Sequence, residues 1–325
     1  MDTVAHHSDD GDAVPAPATA TFRGFLPDER CRFRPLSGAG VRVVLRLTYR
    51  CDLACPHCLV GAQAAHGDLR LAGWERVLAE LPVIGARKVL LTGGEPLLHP
   101  DLVALVRFIS ARGIPVDLNS NLQRMTPALL DDLRRAGLTE LSVSLEGPAA
   151  VHDRMHGKAG ALAQTLRAIR WAAERGLQVD ASCCLTVDNV PYLRELFGLL
   201  VALPLQSFTV SRLFPIGHGK GAARQAVAQA ELDALYADLL RDWLPRAPFP
   251  VRLVGLLGCP RPADCGRGES LIGLTPQGEV VACVLAVENP ASVPHPLGAG
   301  LAEAVARVRA ELQAGAYALC CEAGT

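Results

Sequence analysis

The sequence predicts an α/β protein built on parallel strands, either as an open doubly wound sheet or as a full or partial barrel, with a smaller unit at the C-terminal end. Three observations predict it. From Val41 onward, short β-rich runs alternate with longer amphipathic stretches in six strand–helix units, and strands joined by right-handed helical crossovers pair in parallel. Chemically capable residues gather just after the strands, where both architectures place their sites. After Trp243 the texture changes to short Pro- and Gly-rich pieces with cysteines, which marks a boundary near residue 248.

Strands are expected at Val41–Thr48, Lys88–Thr92, Val116–Asn119, Glu140–Leu145, Gln178–Leu185 and Ser207–Leu213. Helices are expected between them at Leu71–Leu81, Asp101–Arg112, Pro127–Ala136, Ala161–Arg175 and Pro191–Leu200, with a sixth at Ala230–Trp243. Thr126 stands as an N-cap ahead of a proline at the first helical position, and Gly113, Gly137 and Gly176 fall where helices end. Cysteines follow the first strand, Gly93 to Pro96 the second, Asn119 to Asn121 the third and Glu146 the fourth. Residues 1–40 are expected to be a disordered tail and lead-in, because Met1 to Arg23 carries acidic residues, Pro and Ala without the basic start and apolar core of a secretory signal.

A chain of 325 residues can bury a full core. Its formal net charge of −1 leaves no broad basic surface for phosphates or anionic lipid, so neither nucleic acid nor membrane is an expected partner. Apolar runs are cut by charge or proline well short of the ~20 residues that a spanning helix needs. The expected location is therefore the cytoplasm, where thiols stay reduced and eleven clustered cysteines point to metal or redox chemistry rather than disulfides.

Cys51, Cys55 and Cys58 place three thiols within eight residues on a loop directly after a strand. Three thiolates suit soft iron or zinc, and a fourth position left without a protein ligand is what a reactive centre needs; half of a structural zinc site is the competing reading. Thr92-Gly93-Gly94-Glu95-Pro96 follows the next strand. Together the two segments resemble the radical S-adenosylmethionine superfamily. The resemblance implies a partial barrel of six strand–helix units over roughly residues 41 to 215, within a unit of residues 41–247 that includes a connecting helix. It also implies a 4Fe-4S cluster on Cys51, Cys55 and Cys58, with S-adenosylmethionine on the open iron. His57 stands where the family usually has an aromatic, and is expected to stack near the adenine. Gly93, Gly94, Glu95 and Pro96 are expected to bind the cofactor, with Glu95 taking its ammonium. Leu141 to Gly147, followed by His152-Asp153-Arg154 and Gly157, resembles the fourth-strand region of the branch that matures peptides and modifies small metabolites. Ser144 and Glu146 would there approach the ribose and sulfonium.

Cys259, Cys265 and Cys283 are followed by Cys320 and Cys321, after a helical-looking stretch at Leu301–Leu312. The run between Cys265 and Cys283 reads as a hairpin turning at Pro276 to Gly278, which returns its ends to one metal. Residues 248–325 resemble the twitch domain of enzymes related to the SPASM family, which implies one auxiliary 4Fe-4S cluster. Its expected ligands are Cys265, Cys283 and one of Cys320 and Cys321, with the fourth ligand open; zinc is the alternative. Cys183 and Cys184 sit mid-strand on opposite faces and are read as core residues.

The resemblance implies an external electron donor such as flavodoxin or ferredoxin, and a 5′-deoxyadenosyl radical that takes hydrogen from a substrate carbon. The expected reaction is epimerisation, or dehydrogenation, of an aminoglycoside-type small-molecule natural product in antibiotic biosynthesis, with Cys259 as hydrogen donor. Maturation of a ribosomally made peptide is the alternative; the short N-terminal region is expected to hold no leader-binding domain. A non-enzymatic iron–sulfur or zinc module is the remote third reading.

Overall fold

The protein is described here by a computed structural model that covers residues 40–61, 67–214, 222–254, 270–281 and 300–314. Strands β1 (Val41–Thr48), β2 (Ala86–Gly93), β3 (Val116–Asn119), β4 (Leu138–Ser144), β5 (Gln178–Leu185) and β6 (Ser207–Arg212) match the six expected from sequence to within two residues at either end. Helices α1 (Leu71–Leu78), α2 (Leu102–Ser110), α3 (Pro127–Ala136), α4 (Ala149–His156), α5 (Ala161–Glu174) and α6 (Leu193–Leu200) lie between them. Next come α7 (Gln229–Asp238), β7 (Val251–Val254), β8 (Leu271–Leu274), β9 (Val280–Val281) and α8 (Leu301–Gln313). Among the described residues the strand order is β7-β6-β5-β4-β3-β2-β1-β8-β9, parallel throughout except for the β8–β9 hairpin. One sheet whose strands run in sequence order and whose helices follow each strand is a partial barrel.

Local chemistry sets these elements. The Thr126 hydroxyl accepts from the Leu129 N–H and caps α3, and Gly137 ends that helix in a left-handed conformation at φ 102°. Alternate strand residues pack against the helices: Val43, Leu45, Val89, Leu91, Val116, Leu118, Leu141 and Val179 are all at most 1% exposed and belong to one core. Cys183 joins that core while Cys184 lies half-buried on the other face, the split expected from strand geometry.

The opposite face is charged near the strand starts. Lys88 Nζ lies 2.5 Å from Asp117 Oδ2 and 2.7 Å from Glu140 Oε2, bridging β2, β3 and β4. Ser207 donates to Asp180 at 2.5 Å, extending this belt to β6. Burial pushes Asp117 and Asp180 up to about 6, and hydrogen bonding with Glu140 raises Asp180 further. Burial also acts against ionised Glu140, yet its bonds to Asp180 and Lys88 hold its carboxyl below the ordinary value.

Two elements depart from expectation. The sequence of α4, Ala149–His156, lacks an apolar stripe, and the helix instead buries His152 and His156 with Val151 and Met155. The expected helix Ala230–Trp243 gives way after Asp238 to a π turn at Leu239–Trp243 and then a tight turn containing Pro245. The hairpin turning at Pro276 to Gly278 is present as β8–β9; β8 also pairs with β1, and β7 with β6, so segments beyond residue 248 extend the barrel sheet at both edges.

Candidate active site

The loop after β1 carries Cys51, Cys55 and Cys58, all half-buried with free thiols. A turn closed by the Cys58 N–H on the Cys55 carbonyl, at 3.1 Å, draws these two residues together. Polar donors already face the sulfurs: the Gly61 N–H lies 3.3 Å from Cys58 Sγ, and the Asn121 amide nitrogen 3.8 Å from Cys51 Sγ. Burial pushes the Cys51 thiol up to about 11 and Cys55 to about 12, and the three sulfurs act on one another electrostatically. Protein alone thus keeps the Cys51 and Cys55 thiols protonated, and a bound cation must displace those protons. Among the described residues no three His, Cys, Asp or Glu groups converge on a single ion. A cluster, which offers each sulfur its own iron, fits this soft donor set where a lone zinc would need convergence.

The β2 end runs against this loop. Gly94 N–H donates to the Thr48 carbonyl at 2.8 Å, and Glu95 N–H to the Arg50 carbonyl at 2.7 Å. Gly93 has φ +134°, and a Cβ there would lie 2.2 Å from the Thr48 carbonyl oxygen. At Gly94 it would lie 2.3 Å from the Arg50 oxygen and 2.6 Å from that of Tyr49. These glycines are therefore demanded by close backbone approach between the two loops, a stricter need than that of an ordinary turn. Pro96 is buried and opens a single tight turn at Pro96–Leu98.

Glu95 is 0% exposed. Its carboxylate accepts from Leu97 N–H at 2.9 Å, from Ser120 Oγ at 2.7 Å and from Asn121 N–H at 2.8 Å. Burial raises it to about 7 against those bonds. In this arrangement the side chain holds the turn after β3, out of solvent reach.

His57 also turns away from solvent. Its side chain is 11% exposed and turns inward, with Nε2 3.7 Å from Glu146 Oε1. Burial lowers the imidazole to about 4, and its Nδ1 finds no protein partner. Glu146 is 1% exposed, pushed by burial up to about 7, and accepts from the Cys184 N–H at 2.9 Å. It ties the β4 end to β5. Ser144, half-buried at the end of β4 opposite Ser182, stays at the rim of the barrel.

Sequence reasoning missed the wall behind the cysteine loop. His152 and His156 stack at 4.0 Å between ring centroids, and His152 Nδ1 accepts from the Glu146 N–H at 3.3 Å. A Cβ on Gly157, the left-handed end of α4, would come within 3.9 Å of the Ala54 carbonyl in the cysteine loop. Asp153 accepts from Gly160 and Leu162 N–H groups and fixes the α4–α5 connection. Polar identity at buried positions was the available signal, and it was readable only as a motif. Cys259, Cys265, Cys283, Cys320 and Cys321 lie outside the described residues.

Among the described residues no helix is long and apolar enough to cross a membrane. Residues 45–200 match the model of the radical SAM superfamily. A PqqA peptide cyclase of Rhodopseudomonas palustris is 30% identical over 254 residues, covering 76% of this chain and 67% of the relative. An AdoMet-dependent heme synthase of Oleidesulfovibrio alaskensis is 28% identical, covering 59% of this chain and 50% of its own length. The crystal structure of Streptococcus suis SuiB bound to precursor peptide SuiA superposes with a TM-score of 0.62 at 15% identity, over 76% of this chain and 60% of that one. The chain thus spans between half and two thirds of these proteins. The sequence relatives overturn the expected aminoglycoside epimerase or dehydrogenase with its small-molecule natural-product substrate: a relative matched over two thirds of its length is a peptide cyclase. The hydrogen-donor role expected of Cys259 belonged to that reaction and is withdrawn with it. Motif, barrel and relatives agree at the coarser level, and this chain is a member of the radical SAM superfamily, an enzyme family whose cofactors are a 4Fe-4S cluster and S-adenosylmethionine.

Proposed function

We propose that this chain is a radical SAM maturase of a ribosomally made peptide. The observation that carries the reading is the likeness to a PqqA peptide cyclase over two thirds of that protein's length, against half for the heme synthase. Cys51, Cys55 and Cys58 hold the cluster, leaving one iron without a protein ligand. When bound, the cluster and S-adenosylmethionine supply a 5′-deoxyadenosyl radical after one electron arrives from a donor such as flavodoxin or ferredoxin. Gly93 and Gly94 keep the β2 end close against the cysteine loop, and Pro96 fixes the chain beyond it. Ser144 serves the ribose side from the barrel rim. Glu95, His57 and Glu146 would approach the cofactor's ammonium, adenine and sulfonium, as the family resemblance implies, while Glu95 also holds the β3 turn and Glu146 the β5 end. The half-burial of the three thiols supports partial exclusion of water around the reacting centre.

Residues 41–247 form the catalytic barrel in this reading, and residues 248–325 carry the auxiliary 4Fe-4S cluster on Cys265, Cys283 and one of Cys320 and Cys321, with Cys259 available as a fourth ligand. The β8–β9 hairpin supports this by bringing the segments that lead to Cys265 and Cys283 together beside β1. The cytoplasm, with its reduced thiols, suits such a protein.

The test is to incubate the anaerobically reconstituted chain, reductant and S-adenosylmethionine with short peptides encoded beside its gene. A peptide that loses hydrogen by mass spectrometry while 5′-deoxyadenosine accumulates supports the reading. Turnover of a porphyrin precursor with every such peptide left unchanged contradicts it.

A further inference from the structure

Asn121 ends the turn after β3, and every polar atom it owns is engaged. Its backbone N–H donates to Glu95 Oε2 at 2.8 Å, and its side-chain Oδ1 accepts from the Gln123 N–H at 2.9 Å. Its carbonyl accepts from Gln123 Nε2 at 3.2 Å. The Oδ1 contact fixes which way the amide faces, so both hydrogens of Nδ2 point at the cysteine loop. One serves Asp52 Oδ1 at 2.9 Å and the other Cys51 Sγ at 3.8 Å. Asp52 is itself braced by Arg124 at 3.1 Å. The next residue, Leu122, is fully buried with φ +59°, which a side-chain-bearing residue adopts only when its surroundings over-determine it. Here the Ser120 hydroxyl does so, accepting from the Leu122 N–H at 3.0 Å and donating to Glu95.

We propose that Asn121 is a positioning residue whose amide, held by Glu95, donates to the Cys51 sulfur and sets the potential at which the cluster accepts its single electron. The inference rests on the reading that Cys51 is a cluster ligand. A donor to a ligand sulfur draws negative charge from the metal centre and favours the reduced state, so hydrogen bonds to sulfur are one of the levers on cluster potential. It assigns the Glu95 carboxylate a place two bonds removed from the metal: it builds the turn that aims the amide.

The test uses the anaerobically purified full chain. Asn121→Asp keeps the shape and the Oδ1 acceptor but removes the donor. With iron and sulfide content unchanged, the midpoint potential read by electron paramagnetic resonance should fall. At a fixed potential, roughly tenfold fewer clusters should be reduced, about 59 mV for one electron. An iron-replete Asn121→Asp with an unmoved midpoint overturns the proposal. Should that variant lose iron, Asn121→Ser, whose hydroxyl is too short to reach Cys51, gives the same readout. Loss of iron in both, with the barrel intact by circular dichroism, would show that Asn121 merely holds the loop and would also overturn it. Failure of the underlying reading looks different: the unmodified chain would then carry no cluster that depends on Cys51.

Discussion

His57 Nε2 lies 3.7 Å from Glu146 Oε1, yet the two do not form an ion pair near neutrality. Burial pulls the imidazole down to about 4 and pushes the carboxyl up to about 7, so each is held toward its neutral form. The wall behind the cysteine loop is therefore a dry, hydrogen-bonded one, and what it needs at Glu146 is an acceptor for the Cys184 N–H rather than a charge.

Glu146→Gln should accordingly preserve both iron content and melting temperature, because its amide oxygen can take the same N–H. Glu146→Ala leaves that buried donor unpaired, at about 1–3 kcal/mol. Thermal unfolding of both variants checks this, and equal losses would contradict it.

The two stacked histidines set an acid limit. Burial lowers His152 to about 4 and His156 to about 3, from an ordinary value of 6.5. Below pH 6.5 the unfolded chain binds protons that the folded rings refuse, so their contribution is present above 6.5 and is lost as pH falls toward 4 and then 3. Glu95 and Glu146, raised to about 7, have the opposite sign: their contribution is lost as pH rises from about 4.5 through 7. The cluster-free His156→Gln variant should lose less stability than the parent between pH 6.5 and 4, by on the order of a few kcal/mol. Chemical denaturation across that range reads it; parallel curves would refute it.

Gly94→Ala should be costlier than Gly176→Ala. A Cβ at Gly94 meets two backbone oxygens that no rotamer change can move, whereas at Gly176 it meets nothing within 4 Å and only the φ of +72° is strained. Forcing the first apart costs about 1–3 kcal/mol and opens the two loops, while the second costs about 1 kcal/mol. Melting temperatures and iron retention distinguish them, with iron lost only in Gly94→Ala.

Lys88 lies between two carboxylates of the belt, buried Asp117 and half-buried Glu140. Lys88→Met should cost about 3–5 kcal/mol by stranding them. Part of that loss should return as pH falls, because Asp117, already raised by burial to about 6 beside Lys88, takes up its proton at still higher pH once the lysine that lowers it is gone. A loss independent of pH would count against the belt as an electrostatic device.

The barrel was legible because each of its first six strands pairs β-rich composition with a following helix, some of them bounded by Gly or a cap, as at Thr126 and Gly137. The two motifs were legible because their spacing is local. What was hidden is which way side chains turn. Glu95 and Glu146 sit just past strand ends, where sequence suggests display, but Ser120, Asn121, His152 and Cys184 lie 6 to 38 positions away and turn them inward. Helix α4 escaped notice for a related reason: it buries imidazoles where a periodic apolar stripe was sought. Strand β7 is only four residues long, and its pairing with β6 is a tertiary fact.

The central claim is that Cys51, Cys55 and Cys58 hold a cluster with one iron open to S-adenosylmethionine. The most direct measurement compares electron paramagnetic resonance spectra of the reduced, anaerobically purified chain with and without S-adenosylmethionine, beside a variant carrying all three Cys→Ala changes. The account predicts a 4Fe-4S signal that changes shape on adding S-adenosylmethionine and is missing from the variant. A zinc-loaded parent, or a responsive signal that survives in the variant, would contradict it.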